Sequence, residues 1–166
     1  MLMVNGSEKM ISFKSEDSDI RISFSAEAMN TLSSYRQTGT KTEAGGLLFA
    51  EQLYSDVIEI KCVTTPSKLD LRSRFGFKPN KRAAQKTINK FFDEGFHYIG
   101  DWHSHSQDTP IPSPKDIKTI KDIFHKSKHH LNYLVLVILS SNNDFSKTYI
   151  ALTDGKDIFP CHPYTL

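Results

Sequence analysis

The sequence predicts a mixed α/β fold whose β-sheet is not purely parallel. Three observations point to it. Stretches of apolar–polar alternation, the period of a half-buried strand, recur along the chain. Amphipathic helical stretches interrupt them. The strand-like stretches also come in pairs with short connections, which favours antiparallel neighbours. With 166 residues, 38% hydrophobic and 24% charged, the chain is sized and composed for a single packed domain over 1–166. Only the polar residues 1–9 are expected to be flexible.

Residues 10–13 and 20–24 alternate as strands, and the acidic turn at 16–19 predicts a hairpin. Ser25 reads as the N-cap of a first helix over 26–35, with Met29 and Leu32 on its buried stripe. The apolar run 43–49 is expected to be a central strand. Its two glycines, Gly45 and Gly46, mark close approach of another backbone or a ligand. Residues 57–63 form a strand by their β-branched content. Two prolines, a glycine and several charges make 66–80 a long loop. A second helix over 81–94 carries Ala83, Ala84, Ile88, Phe91 and Phe92, and Gly95 closes it. Residues 97–102 are the next strand. After a proline-rich loop, 113–126 is a third helix with Ile117, Ile120 and Phe124 on one face. Residues 133–139 and 145–152 close the fold as two strands joined around Asn142-Asn143.

Several function classes are disfavoured. The net charge of +2, with cations scattered among acids, gives no support to a nucleic-acid partner. The longest apolar stretch, Leu134 to Leu139, is far short of a membrane span, and the N-terminus lacks the charged start and apolar core of a secretory signal. A cytoplasmic protein with no membrane association is therefore expected. Cys62 and Cys161 lie in no Cys-x-x-Cys pair and are expected as two reduced thiols.

The densest chemistry lies in Gly100-Asp-Trp-His-Ser-His105, followed by Pro112-Ser-Pro-Lys-Asp116. On an extended strand, His103 and His105 point to the same side and Ser104 to the other. Asp116 arrives from the first turn of the following helix. Two imidazoles and one carboxylate suit Zn2+ with a fourth position left to water, whose pKa falls towards neutrality; iron or manganese could take a similar site. Hydrolysis needs a proton carrier that is not a ligand, and Glu43, at the start of the Gly-Gly strand, is the candidate. Ser113 could donate to a developing oxyanion.

Each residue also has a plainer reading. Ser113-x-x-Asp116 ahead of an apolar helical run is a capping box. Trp102 is expected as a core aromatic. His125, His129 and His130 belong to a solvated, lysine-rich helix end. His97 is expected on the strand face of His103, packing locally, and Cys161-His162 is too sparse to define a second site. Joint occurrence in one order and spacing is what favours the catalytic reading.

Taken together, Glu43, His103-Ser104-His105, seven intervening residues, Ser113, two more and Asp116 resemble the complete signature of the JAMM (MPN+/JAB1) metalloprotease superfamily. The resemblance spans roughly 20–152. It implies a cytidine deaminase-like mixed sheet flanked by helices, zinc held by His103, His105 and Asp116, Glu43 as acid/base, and Ser113 as oxyanion donor. It also implies cleavage of peptide or isopeptide bonds that follow ubiquitin-like tails. The strings Glu43-x-Gly-Gly, 74–80, Tyr98 to His103 and Pro112-Ser113 are similar to the stand-alone bacterial JAB peptidases of integrative elements and of CBASS anti-phage operons. Those act beside E1/E2-like ligases that conjugate a CD-NTase through its C-terminal tail. That likeness implies a protein substrate with a ubiquitin-like or CD-NTase tail, passing as an added strand between the 66–80 and 106–112 loops. The alternatives are processing of a ubiquitin-like or sulfur-carrier protein, or a non-catalytic scaffold of the same fold. One departure stands out: the residue after the second histidine is commonly proline, and here it is Ser106, which puts the rigidity of that loop in question.

Overall fold

Eleven strands and three α-helices organise the described chain, residues 11–164 of the computed structural model; the readings made for 1–9 and Met10 lie outside them. In order the elements are β1 (Ser12–Ser15), β2 (Arg21–Phe24), α1 (Ala26–Ser33), β3 (Gly45–Ala50), β4 (Val57–Ile60), β5 (Cys62–Val63), β6 (Leu71–Ser73), β7 (Gly76–Lys78), α2 (Lys81–Asp93), β8 (His97–Ser104), α3 (Pro114–Lys126), β9 (Leu134–Leu139), a 3-10 turn (Phe145–Lys147), β10 (Tyr149–Thr153) and β11 (Ile158–Tyr164). Nine strands form one sheet in the order β4-β2-β1-β11-β10-β9-β8-β3-β5, and β6-β7 is a separate hairpin. The β8–β9 and β2–β4 pairs are parallel and the remaining pairs antiparallel, so the sheet is mixed as expected.

The sheet curls until its ends meet. The 57–63 stretch serves both edges, pairing as β4 with β2 and as β5 with β3. At the bend, the Lys61 N–H donates to the Phe49 carbonyl. Inside the curl lies the main core. There Phe13, Phe24 and Phe145 pack edge to face with centroids 5.1–6.2 Å apart, and Ala28 and Leu32 of α1 join them. A second cluster fills the outer face, where Ile120 of α3 meets Leu134, Leu136 and Ile138. β9 therefore has both faces covered, which is why its six residues are apolar without alternation. α2 covers the β3–β8 end, with Phe91 stacked 4.3 Å from Phe49. Among the described residues, no helix is long and apolar enough to cross a membrane.

Four expectations need correction. The 66–80 loop contains the β6-β7 hairpin, whose strands are too short and polar to alternate visibly. The 145–152 strand begins only at Tyr149. Asp144 accepts from the Ser146 N–H and hydroxyl, forming a 3-10 turn that drops Phe145 into the core. β11 was not anticipated, because Pro160 and Pro163 argue against a strand inside a sheet. They are tolerated because the pairing is staggered: Pro160 lies opposite Ala151 of β10, and Pro163 opposite Phe13 of β1. Finally, His97 does not share the face of His103. A bulge in β8 near Ile99 resets the alternation. Beyond it, Ile99 and Trp102 both face the main core, while Tyr98 donates to Asp101 on the other side. His97 packs against Phe92 instead.

Candidate metal centre

The centre is built where β8 runs between β3 and β9. Trp102 and His103 lie opposite Gly46 and Gly45 of β3, and opposite Val137 and Ile138 of β9. Trp102, buried as expected, donates its indole N–H to the Thr64 carbonyl at 2.9 Å. A side chain at Gly46 would collide with that carbonyl and with the indole nitrogen, so the close approach anticipated for the glycines is of backbone and of Trp102. Ser104 points inward and is fully buried. Its hydroxyl accepts from the Ala44 N–H (2.9 Å) and donates to Gln37 Oε1 (3.3 Å). Gln37 in turn donates to the carbonyls of Arg74 (2.8 Å) and Lys41 (3.2 Å). The stretch before β3 is thereby tied to β8, which brings Glu43 alongside the histidines. The hairpin completes the clamp: the Glu43 N–H donates to the Ser73 carbonyl and Arg72 Nε donates to the Glu43 carbonyl.

Asp116 comes from the N-terminus of α3. Ser113 is the N-cap, its Oγ accepting from the Asp116 N–H at 3.1 Å, while Asp116 Oδ2 accepts from the Ser113 N–H at 2.8 Å. The capping box is real, and it also aims the carboxylate: Asp116 Oδ1 lies 3.3 Å from His103 Nε2 and Oδ2 3.4 Å from His105 Nε2. The two Nε2 atoms are 3.2 Å apart, and one ligand atom from each of the three residues lies within 4.8 Å of the others. Glu43 stands just outside, with Oε1 4.0 Å from His105 Nε2.

The electrostatics follow from this packing. Burial pushes the Glu43 carboxyl above its ordinary range, with His103 and His105 pulling the other way. Burial also acts to raise Asp116, but the facing imidazoles and the Ser113 N–H outweigh it and hold that carboxyl well below the usual range. The hydrogen bond to Asp116 raises His105, against its burial. Beneath His103, burial lifts Asp101 to about 6 despite the Tyr98 hydroxyl it accepts. Two imidazoles and one carboxylate converging on one point, with an acid beside them, are a donor set that fits zinc with an open position.

Two supports had no signal in the sequence. Gln107 Oε1 accepts from His105 Nδ1 at 3.2 Å, which fixes the ring with Nε2 aimed at the centre. Asp108 secures the loop that lacks proline at 106. Its carbonyl accepts from Ser140 Oγ, and its carboxylate accepts from Asn142 Nδ2 (2.6 Å) and Lys147 Nζ (2.9 Å). The other histidines lie apart from the centre. His125 and His130 are exposed as expected, His125 also donating to the Gly155 carbonyl, whereas His129 is half-buried and donates to the Phe124 carbonyl at the end of α3. His162 pairs with Glu16 on the surface, and both cysteines are free thiols.

Residues 25–150 match the family of prokaryotic homologs of the JAB domain. A protein of Escherichia coli (strain TW11681) named CD-NTase/cGAS isopeptidase is 36% identical over 108 residues, covering 63% of this chain and 69% of that protein. Another of the same name from Vibrio cholerae serotype O1 is 31% identical over 105 residues, 61% and 67% of the two chains. The solution structure of protein DSY2949 from Desulfitobacterium hafniense superposes with a TM-score of 0.62 at 19% identity, covering 84% of this chain and 88% of that one; it is a likeness of fold. The family match begins at the N-cap of α1, ends in β10, and encloses Glu43, His103, His105, Ser113 and Asp116, so the chain belongs to the prokaryotic JAB-domain family.

Proposed function

We propose that this protein is a zinc-dependent isopeptidase that cleaves after the C-terminal tail of a conjugated CD-NTase in CBASS anti-phage defence. The observation that carries the reading is the convergence of His103, His105 and Asp116 with Glu43 beside them but outside the ligand set. The names of the relatives point to the substrate. His103, His105 and Asp116 would hold the metal. Bound zinc supplies Lewis acidity and brings the pKa of water towards neutrality. Glu43, its basicity increased by burial, takes the proton of the attacking water and delivers it to the leaving lysine amine. The Ser113 hydroxyl uses a lone pair for the Asp116 N–H, and its own proton remains to be donated to the oxyanion. The tail lies extended between the β6-β7 hairpin and the 106–112 loop, gaining backbone hydrogen bonds as an added strand. An E1/E2-like ligase would supply the conjugate.

The test is cleavage of a reporter fused behind the C-terminal tail of a CD-NTase. Wild type, Glu43→Ala and chelator-treated protein are compared. Cleavage after the tail by wild type alone is expected. A folded, zinc-loaded protein that leaves this fusion intact would overturn the substrate, and cleavage surviving both controls would overturn the mechanism.

A further inference from the structure

Beside the metal centre lies a cleft of about 230 Å³ between the β6-β7 hairpin and the first turn of α3. Leu71 and Phe77 give it apolar surface, and Arg72, Lys78 and Lys115 give it charge; its lining holds no carboxylate. Two contacts and one sequence neighbour join it to the reacting groups. The Phe77 ring occupies the space a side chain at Gly45 would need, Arg72 holds the Glu43 carbonyl, and Lys115 immediately precedes Asp116.

None of the three cations forms an ion pair within 4.0 Å among the described residues. The one acid between Pro66 and Asn80, Asp70, is occupied: its carboxylate accepts the N–H groups of Ser67 and Asn80. The positive charge is therefore open to a ligand. At this volume, below the roughly 300 Å³ at which pockets for drug-sized ligands begin, the cleft admits an extended segment rather than a folded surface.

We propose that the cleft selects acidic tails: substrate segments carrying Asp or Glu within the four residues before the cleaved bond. This rests on the isopeptidase reading above and adds the chemistry of its substrate. Arg72 and Lys78 of the hairpin and Lys115 of α3 give both walls of the cleft positive charge, while Phe77 and Leu71 offer apolar surface to the stems of the segment's side chains. A basic tail meets like charge from both walls and is rejected.

The test uses the intact protein and three fluorescein-labelled octapeptides, identical except for a central Glu-Glu, Gln-Gln or Lys-Lys. Binding is read by anisotropy at low and high salt. Because exposed ion pairs are individually weak, the expected preference for Glu-Glu over Gln-Gln is about five- to tenfold, shrinking with salt. Lys78→Glu and Lys115→Gln, both at exposed side chains, should each reduce it, with thermal melting confirming that the variants fold. Equal affinities, or a preference untouched by both substitutions, would overturn the proposal. The same residues are then placed in the tail of the reporter fusion. Fusions cleaved without regard to charge would leave the isopeptidase standing and remove the selectivity. Acidic peptides preferred while no fusion is cleaved would leave the selectivity standing and remove the activity.

Discussion

At His105 the two ring nitrogens do different work: Nδ1 is held by Gln107, and Nε2 faces Asp116 and His103. Gln107→Leu keeps the volume and removes the acceptor, freeing the ring to rotate and to exchange tautomers. Zinc affinity, measured by competition with a chromophoric chelator, should fall about 10- to 100-fold while Tm of the metal-free protein changes little. Cys161 offers a pH-dependent prediction. Burial raises its thiol to about 12, above its value in an unfolded chain, so the folded state favours the protonated form. Its contribution to stability is therefore complete below about pH 8.5 and is lost as pH rises towards 12. Urea midpoints at pH 7 and pH 10.5 should show wild type losing about 2 kcal/mol more between them than Cys161→Ala.

At the scale of elements, the first turn of α3 combines a cap with a carboxylate aimed at two histidines. Ser113→Ala should cost about 1 kcal/mol in urea unfolding, the ordinary loss of an N-cap. It should also lower zinc affinity, because Asp116 is aimed partly by that box. Ser113→Thr keeps the hydroxyl and should restore both. Here the capping-box reading of Ser113-x-x-Asp116 holds, and the same hydrogen-bonded turn points the Asp116 carboxylate at His103 and His105. Other elements were less legible. The bulge in β8 has no residue marking it except Gly100, at φ 155°, where a side chain would strike the backbone of Val135. Without that register shift, simple alternation misplaces His97. The β6-β7 hairpin escaped because four of its six residues are exposed and no apolar face stands out.

For the whole molecule, the expected consequence of the centre is coupling between metal and stability. His103 and His105 come from the end of β8 and Asp116 from α3, so an ion held by them joins two separate parts of the chain, with Glu43 bringing the stretch before β3 alongside. Zinc at about 100 times its Kd should add roughly 2.7 kcal/mol, about 5–10 °C in Tm for a domain of this size. A chelator should reverse the shift, and no shift on titration would refute the site. Burial of the core also follows from the sheet closing on itself through Lys61, which brings the β2 and β3 edges to one bent strand.

Composition, strand and helix periods and the spacing of Glu43, His103, His105, Ser113 and Asp116 were enough to define the class of fold and the set of groups, because alternation and ligand chemistry are local properties. The partners of those groups were settled only by folding. Gln107 on His105, the Gln37–Ser104–Ala44 chain, Arg72 on Glu43 and the Asp108 anchor all join residues by ordinary hydrogen bonds. Such bonds leave no pattern along a chain, and most of them exist only once residues distant in sequence have been brought within hydrogen-bonding reach of one another.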